Sequence, residues 1–247
     1  MSFREIKLSA KESLQGKRKT SVGAWVIYLL LSGGISGFLA VLTLPVSLFF
    51  SNDPLTQQAV IQVPTLFSIF ALFPLAVGLY WLHLDIYDKK EVQVGHLFHG
   101  FSPYWKVVGA YVLVSLYTFL WTLLFIVPGI VKGLAYSQTF YLLKENPDLS
   151  INGAITESRR LMDGNKWRYF AFHLSFIGWY LPIMAAYGIG LATVITTLDS
   201  GSAAIWWGIG LLLFSAIYGI FLFFYFIPYY YTADAGFFRK LVAKEES

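Results

Sequence analysis

Apolar and polar residues fall in long blocks along this chain, and the blocks set the elements. Residues 1–20 place Phe3, Ile6, Ala10 and Leu14 near one helical face and Arg4, Lys7, Lys11 and Glu12 elsewhere, with Leu8 interrupting the pattern. An apolar run follows from Val22 to Leu44. The turn-rich SNDPLTQQ (51–58), which has no Lys or Arg, separates it from a second run, Val63–Tyr87. Pro74 inside that run removes one backbone hydrogen bond and predicts a kink. A polar stretch (85–96) leads to a brief stripe of Val94, Leu97, Phe98 and Phe101, and then to the run Tyr104–Val127. After Pro128-Gly129, the piece Ile130–Leu143 has only 14 residues. At ~1.5 Å per residue it reaches about 21 Å, short of the ~30 Å bilayer core, so it either crosses a locally thinned bilayer or is re-entrant.

From Ser150 the period is clearly that of a helix. Ile151, Ala154, Ile155, Ser158, Leu161 and Met162 share one face, and Asn152, Thr156, Glu157, Arg159, Arg160 and Asp163 share the other. Ser150 is the expected N-cap and Gly164 the expected stop, and a helix of this kind is expected in the membrane interface. Two further runs, Tyr169–Leu198 and Ala203–Phe238, precede a polar tail. The pattern predicts an all-α polytopic membrane protein forming a single domain over residues 1–247. Its six transmembrane helices, the fourth short or re-entrant, form three hairpins, each preceded by an amphipathic cytoplasmic surface segment.

Composition agrees with this class. Of 247 residues, 57% are hydrophobic and 13% charged, against about 25% charged in soluble domains. Runs this continuously apolar fit helices, because in lipid the backbone must satisfy its own polar groups. The absence of cysteine excludes disulfides, thiolate metal sites and thiol nucleophiles. The basic N-terminus resembles the start of a signal peptide, but the apolar run after it is too long for one and is read as retained. The +4 formal charge reads as topology. Every Lys and Arg except Lys132 falls within 1–20, 85–106, 144–168 or 239–247, the segments that six crossings from a cytoplasmic N-terminus leave on the cytoplasmic side. Nucleic acid is therefore not an expected partner, whereas anionic lipid at the cytoplasmic face is. A protein partner or a second copy of the chain stays open.

A small pattern recurs three times: an apolar residue, any residue, glycine, then basic or aromatic residues. It occurs at Leu14-Gln15-Gly16, Phe98-His99-Gly100 and Met162-Asp163-Gly164, and each instance is followed by a return helix with a proline (Pro74, Pro128, Pro228). This suggests repeat units 1–87, 88–145 and 146–247. Gly33 and Gly37 form a GxxxG pair that would let another helix approach closely.

Chemical candidates are few. Lys132 lies near membrane depth, where a cation is costly. It can snorkel to the outer interface, oppose an anionic lipid or substrate, or pair with Asp199. Pro128 and Gly129 set the break before it. His173 can relay protons or sit as a satisfied histidine. Arg159, Arg160, Lys166 and Arg168 are candidate contacts for anionic lipid. Asp234 has Arg239 and Lys240 as candidate partners, and the tyrosines at 225 and 229–231 suit an interfacial belt. His96 and His99, near Asp85, Asp88 and Glu91, read as a solvated loop rather than a metal site. No catalytic residue, cofactor or metal is expected, and phosphate-loop, dinucleotide, HExxH and GxSxG motifs are all missing.

The stretch IVPGIVKGLAYSQTFYLLKENPDLSINGAITESRRLMDGNKWRYFAFHLSFIGW resembles the integral membrane family called domain of unknown function 975. The resemblance rests on Pro128, Gly129, Ile130, Lys132, Tyr136, the Asn146-Pro147-Asp148 turn, Ser158, Leu161, Met162, Gly164 to Trp167 and Leu174 to Trp179, with Val131 a departure. It implies a plasma-membrane protein and brings no activity or active site. The functional expectation is an integral plasma-membrane protein with both termini cytoplasmic and a non-enzymatic role in bilayer or partner organisation, sensing or protection. The alternative is a transporter or permease component for a lipid-like or amphipathic substrate.

Overall fold

The computed structural model describes residues 2–49, 54–198 and 202–245, and among these there is no strand. The helices are α1 (Phe3–Ser13), α2 (Arg18–Phe49), α3 (Pro54–Tyr87), α4 (Tyr104–Leu124), α5 (Ile126–Tyr136), α6 (Thr139–Glu145), α7 (Ile151–Leu161), α8 (Lys166–Leu174), α9 (Leu181–Thr197), α10 (Ala204–Phe221) and α11 (Ile227–Glu245). A 3-10 segment, Val94–Phe101, precedes α4, and a π-helical turn, Leu222–Phe226, joins α10 to α11.

Four stretches are long and apolar enough to cross a membrane: Arg18–Pro45, Phe70–Tyr87, Tyr104–Leu124 and Ala204–Glu245. A fifth is added if Lys166–Trp179 and Leu181–Thr197, bent by 50°, count as one. Ile130–Leu143 is not among them. It is divided between α5 and α6, and the division has a visible cause. The Gln138 amide donates to Ser158 Oγ of α7 at 3.1 Å, and Ser158 Oγ donates to the Ala135 carbonyl at 2.8 Å. A side chain from α7 thus takes over groups that an unbroken helix would bond to itself.

Burial divides the molecule along its length. One end is a packed base: Ile6, Ala10, Leu84, Tyr141, Phe172, Phe226, Phe237 and Phe238 belong to one buried cluster, and Leu14, Trp25, Leu79 and Leu97 to a second beside it. From the base extend the antiparallel pairs α2–α3, α4–α5 and α9–α10, whose outer parts are apolar and exposed (Phe38 and Val41; Leu123 to Val127; Ile195 and Ile217). The α9–α10 pair closes most tightly at Gly190 and Gly208, where a Cβ on Gly208 would lie 2.9 Å from the Gly190 carbonyl oxygen. Gly33 and Gly37, by contrast, have no atom of the described residues within 4 Å of a built Cβ.

The amphipathic segments also differ from expectation. α1 buries Ile6, Ala10 and Ser13 against α11 and α3, and α7 buries Ala154, Ile155, Ser158 and Leu161 against α4, α5 and α6. Their apolar faces are covered by protein rather than turned to lipid, a choice that periodicity does not encode. α1 and α7 end alike. Leu14 and Met162 continue the last turn, and Gly16 (φ +77°) and Gly164 (φ +67°) take the left-handed conformation that favours glycine. Each surface segment sits on a return helix from elsewhere in the chain: α1 on α11, the 3-10 segment on α3, and α7 on α6.

An ion-pair network ties those return helices together. Lys144 of α6 meets Asp85 of α3 at 2.6 Å, and Lys90 meets Asp85 at 3.2 Å. The Arg239 guanidinium of α11 reaches Asp88 at 2.8 Å and Glu145 at 2.7 Å. Burial lowers the Lys144 pKa, and its bond to Asp85 offsets only part of that effect.

Candidate functional site

Two sites gather the polar chemistry. The first is a cleft of about 500 Å³ lined by Val131, Lys132 and Ala135 of α5, Thr156, Arg159 and Arg160 of α7, and Asp163 and Lys166 beyond it. The local causes are plain. Ser150 caps α7 by accepting the Gly153 amide at 3.0 Å, and this fixes the phase that turns Arg159 and Arg160 away from the buried face. Gly164 then turns the chain so that Lys166 rejoins the same rim. On the other wall, Gly129 lets α5 press on α4, where a Cβ would lie 2.9 Å from Thr122 Cα. Lys132 extends over Trp121, with Nζ 4.5 Å from the ring centroid.

The charges in this cleft are unequally compensated. Arg160 is held by Glu157 at 2.9 Å and Glu245 at 2.6 Å, and Lys166 by Asp163 at 3.4 Å. Among the described residues, Lys132 and Arg159 have no carboxylate within 4 Å. The hydrogen bond from Arg160, reinforced by its charge, lowers the Glu157 pKa despite partial desolvation. Three acids, Glu157, Glu245 and Asp163, hold two of the four cations, and the other two, Lys132 and Arg159, are left to make an anion-binding arrangement.

Of the residues singled out in the sequence, Lys132, Arg159, Arg160 and Lys166 therefore meet at one place, and Gly129 supports it by packing. Pro128 occupies the first turn of α5, which begins two residues earlier, at Ile126. Arg168 is exposed and does not line the cleft. Asp199 lies outside the described residues. Lys132 shares its cleft with the 144–168 basic cluster instead of standing alone on the opposite side. That separation followed from counting Ile130–Leu143 as a full crossing.

The second site is buried. Asp234 of α11 accepts from Tyr141 O–H (2.9 Å, to Oδ2) and Tyr169 O–H (2.8 Å, to Oδ1). His173 brings Nε2 to 3.5 Å from Asp234 Oδ1 and Nδ1 to 2.7 Å from Tyr230 Oη. Asp234 thus pairs with neither Arg239 nor Lys240, because Arg239 is committed to Asp88 and Glu145. Tyr230 and Tyr231 face inward rather than forming a belt, with Tyr231 4.8 Å from Trp25, centroid to centroid. Sequence spacing gave no sign of this cluster: Tyr141 and Tyr169 lie 93 and 65 residues from Asp234. The one available signal was an acid within the otherwise uncharged run Ala203–Phe238. Elsewhere, His96 and His99 stack at 4.6 Å, and no group of three or more metal-ligating side chains occurs among the described residues.

Comparison with protein families adds one match: the model described as protein of unknown function (DUF975) covers residues 126–245. No curated protein and no solved structure matches. The matched stretch contains every residue of the basic cleft together with Tyr141, Tyr169, His173, Tyr230 and Asp234, while Trp25, Asp85 and Asp88 lie outside it. Over this stretch, which carries both polar sites, the chain is similar to the DUF975 family of proteins of unknown function.

Proposed function

We propose that this protein is a multi-pass plasma-membrane protein with cytoplasmic termini and a non-enzymatic role. In this reading it holds phosphodiester headgroups of anionic lipid in the cleft of Lys132, Arg159, Arg160 and Lys166 and organises the bilayer around itself. The observation that carries the reading is the convergence of those four cations on one cleft of about 500 Å³. The surroundings support it. Directly beyond the cleft, the tip of the α4–α5 pair exposes Leu123, Leu124, Phe125, Ile126 and Val127, an apolar surface suited to acyl chains. The pair then enters the membrane from the cytoplasmic side and returns, so that Lys132 joins the other basic residues in the cytoplasmic leaflet, as the positive-inside rule favours. A cation near an anionic surface contributes about 1 kcal/mol.

The test uses the full-length protein, purified and titrated with phosphatidylglycerol, phosphatidylcholine or inorganic phosphate while bound lipid is read by native mass spectrometry. Preferential retention of phosphatidylglycerol, lowered about tenfold or more by the double substitution Lys132→Ala/Arg159→Ala, is the expected result. Displacement of that lipid by millimolar phosphate would identify a site for the free anion instead. Equal retention by the wild type and the double variant would remove the cleft from the account.

A further inference from the structure

A different cleft, of about 430 Å³, opens between α2, α8 and α11 and continues the Asp234 cluster outward. Its walls include Trp25, Phe176, Ile177, Tyr180 and Ile227, and its polar groups come from His173, Tyr230 and Tyr231 beside Trp25. No lining residue is Asp, Glu, Lys or Arg, which sets it apart from the basic cleft. A volume in this range suits a small ligand or part of a lipid.

Its hydrogen-bonding inventory is specific. Asp234 faces His173 Nε2 and is an acceptor, which assigns the ring proton to Nε2. Nδ1 then accepts from Tyr230 O–H, and the Tyr230 oxygen keeps a lone pair for one further donor. Trp25 is 9% exposed, and its indole N–H is buried with no acceptor among the described residues. A buried donor of this kind is costly to leave unmade. The walls thus offer one unused donor, one acceptor with spare capacity and no charge. No lining residue gives a carboxylate, phosphate or ammonium head a counter-ion, and Lys7 Nζ, 4.1 Å from the Phe176 ring centroid, is not among the lining residues. A hydroxyl, which accepts once and donates once, meets both needs.

We propose that this cleft binds an uncharged lipid alcohol, its hydroxyl accepting from the Trp25 indole N–H and donating to the Tyr230 oxygen. The hydrocarbon lies along Phe176, Ile177 and Ile227. At the rim the side chains of Leu174 and Ile177 are also exposed, and Leu181 beyond them continues the apolar surface outward. The proposal is independent of the basic cleft, since the two share no residue.

The experiment places the full-length protein in phosphatidylcholine vesicles containing an alkyl-diazirine diacylglycerol. Parallel samples carry the diazirine fatty acid or the diazirine sphingosine. After irradiation, the labelled peptides are mapped. The diacylglycerol probe is expected to mark the peptide spanning Phe170–Tyr180 in preference to the acid and the amine. Trp25→Phe and Tyr230→Phe, which keep the rings and remove one polar group each, are expected to lower that labelling about three- to tenfold. Ile177→Trp, which fills the cleft from its rim, is expected to abolish it. Equal labelling by all three probes would mean ordinary boundary lipid and would overturn the proposal, as would labelling unchanged by Trp25→Phe and Tyr230→Phe in folded protein. Where either Phe variant loses thermal stability, Ile177→Trp decides alone, and labelling retained in that variant overturns the proposal.

Discussion

Asp234 shows how much one buried side chain can organise. Its two oxygens accept from Tyr141 and Tyr169 and face His173, so α6, α8 and α11 are joined through a single carboxylate. Asp234→Ala leaves two tyrosine hydroxyls buried without an acceptor. At roughly 1–3 kcal/mol for each, it should destabilise the protein by about 2–6 kcal/mol. Tyr141→Phe removes one donor and leaves the carboxylate its second, so it should cost about 1 kcal/mol. Thermal unfolding of the detergent-solubilised variants measures both, and equal losses would contradict this ordering. At the surface, the Glu157–Arg160 contact gives a pH prediction with a definite sign. The folded-state pKa of Glu157 is lowered, so the folded state favours the ionised form. The associated stability is full above the ordinary glutamate pKa and is lost as pH falls through the lowered folded value. Glu157→Gln should flatten that acid limb of the stability profile slightly, as expected of a partly exposed pair.

At the scale of elements, the sequence was most informative where one helix carries its own period. The Ser150 cap, the Gly164 stop and the faces of α7 follow from residues within a few positions of each other, and the structure has all three. What covers those faces was not legible. An apolar stripe buries equally well in protein or in lipid, and α7 uses α4, α5 and α6. The break between α5 and α6 was hidden for the same reason, since the group that receives the Gln138 amide, Ser158, lies 20 residues away. The spacing of Gly33 and Gly37 would permit a close approach, but among the described residues one occurs at Gly190 and Gly208, because a small residue permits close approach without supplying the neighbour. Gly208→Leu should therefore separate α9 from α10. The expected signature is a loss of at least about 2 kcal/mol and faster proteolysis between the two helices, whereas Gly33→Leu should be tolerated.

For the whole molecule, the predicted membrane class and all-helical composition agree with an architecture of four or five helices of crossing length. Charge bookkeeping nevertheless put Lys132 apart from residues with which it shares a cleft, because a 14-residue apolar piece was counted as a crossing. The base is held by contacts between distant parts of the chain: Asp85 with Lys144, and Arg239 with both Asp88 and Glu145. Arg239→Ala leaves two partly buried acids without their guanidinium and should cost about 2–4 kcal/mol. The cost should be little changed by salt, because partly buried pairs are screened less than exposed ones.

The seat of α1 on α11 also has a consequence for the order in which the protein can be made. Ile6 and Ala10 are fully buried in one cluster with Phe237, Phe238 and Leu241 of α11, which leave the ribosome long after α1. α1 must therefore wait, with its apolar face uncovered, until α11 arrives. Contacts of such long sequence separation form slowly and leave adhesive surface exposed in the meantime. A nascent chain that has not yet reached α11 is the species in which a chaperone or the bilayer surface itself would have to shelter α1.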